Sequence, residues 1–249
     1  MTRLDDNQNF FAGKTVMITG AGKGIGRATA KMLASRGAVV TAVSRSPADL
    51  ASLKAEIGGR SIAVDLEDLD RTREVVRAAM PVGLLVNCAA IGTLEPFVDA
   101  TMEVTRRVMT VNFLSPMVVA QEYARACIAR GAPGSIVNVS SDAAFKGLPG
   151  HSAYCASKGA LDALTRVMAA ELGKHSIRVN CINPGVTLTD MGLKTWTDPV
   201  RAGPRIARLP LGRFLEPDEV ARAILFMLSR DSNMITGVSL LVDSGYHVS

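Results

Sequence analysis

Short apolar runs alternate with amphipathic stretches along most of this chain. The run KTVMIT at 14–19 predicts a buried strand, and the pattern over 25–35 predicts a helix closed by Arg36-Gly37. Apolar runs at 38–43, 61–64, 83–86, 136–139, 177–182 and 238–242 predict further strands. Helical periodicity covers 68–80, 101–130, 151–174 and 220–228, the last entered through Pro217. Gly131-Ala132-Pro133-Gly134 breaks one helix, and Asn183-Pro184-Gly185 turns the chain off the sixth strand. Strand and helix in alternation predict an α/β fold on a parallel sheet. The exception is 188–210, which holds Pro199, Gly203, Pro204, Pro210 and the sole tryptophan, Trp196, without periodicity. A long segment of that kind reads as a lid over a binding site.

Composition supports one large domain. Of 249 residues 48% are apolar and only 4% aromatic, so Ala, Val, Ile, Leu and Met must fill the core. A parallel sheet buried on both faces uses such residues. No internal repeat, low-complexity tract or linker divides the chain. The net charge is +5, but Lys and Arg are scattered without aromatic interleaving, which argues against nucleic acid and suits a phosphorylated cofactor. Cys88, Cys127, Cys155 and Cys181 lie far apart, suggesting neither a zinc site nor a disulfide framework. The polar segment 1–10 does not read as a secretory signal, and no apolar run is long enough to span a bilayer. A cytoplasmic protein is expected.

The first strand ends in Gly20-Ala21-Gly22-Lys23-Gly24-Ile25-Gly26. Strand, glycine turn and helix in succession are what a dinucleotide site requires. Gly20 suits the tight turn, Gly24 close approach of phosphate, and Gly26 packing of helix on strand. The helix amino terminus then offers free N–H groups to a pyrophosphate. The second strand delivers Ser44-Arg45, where NAD-preferring folds place a carboxylate, and none follows until Asp49. A guanidinium there suits a 2′-phosphate, with Lys23 as a second cation. Asp65-Leu66, after the third strand, is placed to reach adenine.

Tyr154 and Lys158, four residues apart on one helix, share a face. A lysine ammonium favours phenolate, so the tyrosine pKa is expected to fall from roughly 10 toward the range useful for acid–base catalysis. Ser141, at the carboxyl end of the fifth strand, is placed to hydrogen-bond the same substrate oxygen. Asn112 lies mid-helix between Val111 and Phe113-Leu114, which predicts a buried hydrogen-bonding role.

With TGAGKGIG at 19–26, VNCAA at 86–90, Asn112, Ser141, YCASK at 154–158 and NPG at 183–185, the chain resembles the short-chain dehydrogenase/reductase family over nearly its whole length. The resemblance implies a Rossmann-like doubly wound sheet of seven parallel strands, ordered 3-2-1-4-5-6-7, in a single domain. It also implies a catalytic set of Asn112, Ser141, Tyr154 and Lys158, no metal, and a homotetramer. Asn112 would hold a water that links Lys158 to solvent. Cofactor contacts are implied at Gly20, Lys23, Gly24, Ile25, Gly26, Ser44, Arg45, Asp65, Leu66, Asn87, Ala89, Tyr154 and Lys158. Pro184, Gly185, Val186 and Thr189 would meet the nicotinamide end.

Further pieces, among them AVSRSPADL, MGLKTWTDP and PLGRF, resemble one carbonyl-reducing branch of that family. There the equivalents of Asp142, Leu148, His151 and Trp196 border the substrate beside Ser141. One departure stands out: Cys88 and Ala90 replace an Asn and a Gly of the usual pattern, at a small expected cost to rigidity. The expectation is an NADP(H)-dependent oxidoreductase interconverting a small carbonyl compound and its alcohol, a ketose/polyol pair such as L-xylulose/xylitol or an α-dicarbonyl. The same core serves 3-oxoacyl thioesters and steroids, and a nucleotide-sensing module without turnover is the alternative from another class. The complete Tyr154–Lys158 pair argues against the last.

Overall fold

The computed structural model describes residues 10–196 and 198–249, so the polar segment expected at 1–10 lies, except for Phe10, outside the described residues. The strands are β1 (Thr15–Thr19), β2 (Val39–Ser44), β3 (Arg60–Ala63), β4 (Leu84–Asn87), β5 (Gly134–Val139), β6 (Ile177–Pro184) and β7 (Ser239–Val242). They form one parallel sheet in the order β3-β2-β1-β4-β5-β6-β7. Strand alternation feeds two apolar layers. Val16 and Ile18 of β1, with Val137 and Val139 of β5, join one core cluster, while Met17 and Ile136 join the other. Helices α1 (Gly24–Ala34), α2 (Pro47–Ile57) and α9 (Pro217–Leu228) cover the first face. Helices α3 (Leu69–Ala79), α5 (Ser115–Ala129) and α6 (Ser152–Leu172) cover the second.

Thr19 of β1 is in register with Asn87 of β4, and Asn87 with Asn138 of β5. The chain crosses from one side of β1 to the other between β3 and β4, which opens a crevice at the carboxyl ends of β1 and β4. Tyr123 of α5 fixes the layer beneath: its hydroxyl donates to the Gly83 carbonyl at 2.7 Å and accepts from the Ser135 N–H at 3.0 Å.

Three features differ from the sequence pattern. Helix α2 was not anticipated, because it buries only Leu50 and Leu53; local chemistry makes it, with Pro47 in the first turn and Ser46 Oγ accepting from Asp49 N–H. The helix expected across 101–130 is three pieces: α4 (Met102–Met109), a π-helical turn (Thr110–Leu114) and α5. The segment 188–210 is not irregular, for it contains α7 (Asp190–Trp196) and α8 (Pro199–Ile206). Of the small residues on α5 and α6, Ala120, Ala124 and Ala169 face the sheet within the core. On the other side of α6, Ala163 is exposed and Ala160 half-buried.

Candidate active site

At the carboxyl end of β1, Gly20 takes φ +69, and a Cβ there would lie 2.7 Å from the Ala89 backbone. A Cβ on Gly26 would strike the Gly20 carbonyl, so only glycine lets α1 start this close to β1. Ile25 between them packs on the core. Helix α1 has no side-chain cap and no acidic residue in its first turn, which leaves its leading N–H groups open to an anion. Gly24 (φ +53) faces Thr189: a Cβ there would come 2.9 Å from Thr189 Cγ2. The glycine turn and the loop after β6 thus bound one cleft, and these features fit a dinucleotide pyrophosphate.

Pro184 ends β6, Gly185 N–H donates to the Val242 carbonyl at 2.9 Å, and the Val186 carbonyl accepts from Leu215 N–H at 3.0 Å. These bonds present Val186 and Thr189 at the mouth of the cleft. On the other side, Ser44 approaches the turn closely: a Cβ on Gly22 would lie 2.9 Å from Ser44 Oγ. Arg45 beyond it is exposed and makes no ion pair among the described residues. Lys23 pairs with Asp49 at 3.8 Å and Asp190 at 3.6 Å. Arg27, which the sequence did not single out, braces the turn by donating to the Gly22 and Asp49 carbonyls. Asp65 is exposed and accepts from Glu67 N–H, while Leu66 is buried. The Asn87 amide is turned inward, donating to Asn138 Oδ1 at 2.9 Å, so a cofactor contact at this position runs through backbone.

The stretch with Cys88 is braced without the missing amide. Thr19 Oγ1 accepts from Cys88 N–H at 3.1 Å and Ala89 N–H at 3.3 Å. Burial pushes the Cys88 thiol up to about 12, which keeps it a neutral packing group.

Ser141 follows β5, and its backbone carbonyl accepts from Asn183 Nδ2 at 3.0 Å; that amide also donates to buried Asp162 at 2.9 Å. Ser141 Oγ accepts from Ala143 N–H at 3.1 Å and donates to Asp142 Oδ1 at 3.2 Å. Tyr154 stands in the first turn of α6, near enough to Ser141 for that hydroxyl to act on its phenol. Its ring lies 6.4 Å from that of His151, edge-on, and the Cβ position of Gly92 is 3.8 Å from Tyr154 Cδ2 and 3.9 Å from Met191 Sδ of α7. Lys158 is 1% exposed; its Nζ donates to the Val139 carbonyl at 2.9 Å and stands 5.7 Å from the Tyr154 ring centroid.

The electrostatics depart from expectation at Tyr154. Burial pushes the phenol up to about 12, opposed by the Ser141 hydrogen bond and reinforced by Asp142, Cys155 and Cys88. Burial also draws Lys158 down to about 8. At this separation desolvation of the phenolate outweighs the ammonium, so the lowered tyrosine pKa expected from the pair is absent here.

Asn112 sits in the π-helical turn, fully buried. Its Nδ2 donates to the Ile91 carbonyl at 2.9 Å and Ser157 Oγ at 3.1 Å, and its Oδ1 accepts from Ile91 N–H at 2.9 Å. It therefore locks the strand-four loop to α6.

The remaining predicted residues ring the entrance. His151 Nδ1 pairs with the Pro149 carbonyl at 3.0 Å, and Leu148 is half-buried. Trp196 packs against Phe214 at 5.7 Å between centroids, within a cluster holding Ala202, Leu209 and Tyr246, so it anchors the 188–210 segment. Asp142 is 4% exposed, with Lys146 Nζ at 2.8 Å and Arg205 Nη2 at 3.1 Å from its Oδ2. Sequence reasoning missed Arg205, Lys146 and Tyr246. Lys146 lies four residues after Asp142 on the same loop, whereas Arg205 and Tyr246 reach it only through tertiary structure.

A family profile described as enoyl-(acyl carrier protein) reductase matches residues 20–247. D-erythrulose reductase of Gallus gallus is 51% identical over 240 residues, spanning 96% of this chain and 98% of that protein. L-xylulose reductase of Homo sapiens is 50% identical over 238 residues, 95% of this chain and 98% of that protein. A solved structure from Beutenbergia cavernae, assigned as an NAD(P)-dependent gluconate 5-dehydrogenase with bound NADP at low occupancy, is 32% identical with a TM-score of 0.91, covering 96% of this chain and 100% of that one. The carbonyl-reducing branch indicated by the sequence is thus borne out by these similarities.

Proposed function

The chain belongs to the short-chain dehydrogenase/reductase family, and on that premise we propose that it is an NADP(H)-dependent reductase interconverting a small ketose and its polyol. The observation that carries this is the meeting of Ser141, Tyr154 and buried Lys158 beside an uncapped helix terminus that suits pyrophosphate. The uncapped N–H groups of α1 would hold the pyrophosphate of NADPH, Arg45 and Lys23 would hold its 2′-phosphate, and the bound cofactor would supply the hydride.

Everything else is done by side chains. Tyr154 gives its phenolic proton to the carbonyl oxygen, and Ser141 steadies the charge that develops there. A phenol held near 12 stays loaded with its proton across the neutral range, which suits reduction. Lys158, drawn down to about 8, can exchange a proton at physiological pH and so recharge the phenolate that is left. Asn112 anchors this route, which runs through a water between Lys158 and solvent. Met191 on α7, His151 and Leu148 border the substrate, and 188–210 acts as the lid with Trp196 as its anchor.

A solved structure assigned as a beta-ketoacyl-ACP reductase, 36% identical with a TM-score of 0.87 over 95% of this chain and 99% of that one, favours 3-oxoacyl thioesters as a second substrate class. One panel separates them: NADPH oxidation is measured over L-xylulose, D-erythrulose, diacetyl and acetoacetyl-CoA. Turnover of the ketoses at least ten-fold above the thioester is expected; the reverse order would replace the substrate assignment, and no turnover at all would leave only a nucleotide-binding module.

We place the protein in the cytoplasm, in keeping with four unpaired thiols, and propose a homotetramer. Exposed Ile128 on α5 and Val167 on α6 supply apolar surface beyond what the sheet uses. Light scattering at micromolar concentration should return four times the chain mass, and a monomer would refute it. Among the described residues no helix is long and apolar enough to cross a membrane.

A further inference from the structure

We propose that Arg205, on the lid helix α8, is a positioning residue that sets the proton-donating strength of Tyr154 through Asp142 and Ser141. The inference rests on Tyr154 being the proton donor and names what tunes it. Ser141 Oγ has a single proton, and at 3.2 Å it is given to Asp142 Oδ1. While Asp142 holds that proton, the serine can only accept from the tyrosine, which favours the neutral phenol. When the proton swings to Tyr154 or to a substrate oxygen, it stabilises negative charge there. The strength of Asp142 as an acceptor therefore decides how Ser141 serves the reaction.

That strength is set from the far side of the carboxylate. Arg205 Nη2 and Lys146 Nζ both reach Oδ2, at 3.1 and 2.8 Å, and draw charge away from the oxygen facing Ser141. Tyr246 holds both cations: its ring centroid lies 3.2 Å from Arg205 Cζ and 3.8 Å from Lys146 Nζ. Lys146 rides on the same loop as Asp142, whereas Arg205 arrives from α8 and Tyr246 from the carboxyl-terminal turn. The pair thus ties the lid and the chain end to the catalytic serine, and Arg205 can neutralise Asp142 only with α8 in place. The groups facing Tyr154 are Ser141 and Asp142 from the β5 loop, Cys88 after β4, and His151, Cys155 and Lys158 on its own helix. Asp142 is the only carboxylate among them, and its charge raises the phenol.

The sign follows. Removing Arg205 uncovers the Asp142 charge, so the phenolate is disfavoured and the Tyr154 pKa rises. The test uses kcat/KM for xylitol oxidation at saturating NADP+, which climbs with pH as the phenolate forms. In Arg205→Met that limb should move up by about 0.5–1 pH unit, while Arg205→Lys should stay near wild type. Asp142→Asn/Arg205→Met should bring the limb back to wild type or below. An unmoved limb in Arg205→Met, or one as high in the double variant, would overturn the inference and leave the arginine a lid brace only.

Should Arg205→Met not fold, Asp142→Asn alone must lower the limb, and an unchanged or raised limb counts against the inference equally. Tyrosinate absorbance of each NADP+ complex, with a Tyr154→Phe variant subtracted, gives the same pKa without turnover. A protein that oxidises no alcohol yet shows the shift would retain the coupling and lose the functional assignment.

Discussion

Tyr154→Phe is expected to lower kcat for ketose reduction by about 10²–10⁴-fold, the usual worth of a positioned general acid, with NADPH affinity held within a few-fold. The change removes one hydroxyl and leaves the ring. Its neighbours Gly92 and His151 keep their contacts, and Lys158 stays anchored on the Val139 carbonyl, which does not depend on the phenol. Ser141 loses a partner but keeps Ala143 and Asp142. The loss should therefore appear in kcat, because the proton is transferred only as charge develops on the substrate oxygen. Steady-state kinetics and fluorescence titration with NADPH check the two halves. Substantial turnover by the Phe variant would remove Tyr154 from the acid role.

Most of the fold could be read along the chain because most of its strands are dominated by apolar residues and are followed by a polar residue or a glycine. β1 and β5 show this directly: their two sides feed the two core layers, and their carboxyl ends deliver Gly20 and Ser141. Helix α2 escaped because its burial is two leucines, a stripe too thin for periodicity to register. The π turn escaped because Thr-Val-Asn-Phe-Leu continues a helical pattern; what opens the helix is the buried Asn112 amide reaching Ile91 and Ser157. Burial was also underestimated. Tyr154 beside Lys158 reads as an ion-stabilised phenolate, yet desolvation by the surrounding protein dominates at the phenol. The Asp142 cluster was illegible for another reason, since Arg205 and Tyr246 reach Asp142 and Lys146 only through the fold.

Cofactor choice is set at the end of β2, and the expected effect is large. Arg45 stands exposed beyond Ser44, without an ion pair among the described residues, so a 2′-phosphate gains a guanidinium at no cost of breaking a bond. NADH would leave that charge as it is. A charge-assisted contact is worth about 1.5–3 kcal/mol, which corresponds to roughly ten- to a hundred-fold in affinity. Exposure places the expected preference for NADPH over NADH toward the lower end of that span, and rising salt should shrink it. Lys23 adds less than its charge suggests, because Asp49 and Asp190 already hold it at 3.8 and 3.6 Å and a phosphate must compete with both. Arg45→Asp should reverse the preference: the carboxylate repels the 2′-phosphate and offers an acceptor to the ribose hydroxyls. Initial rates with each cofactor at low and high salt decide the matter. Equal or better use of NADH by the unaltered protein would mean that the loop from Ser44 to Asp49 does not face the adenosine ribose.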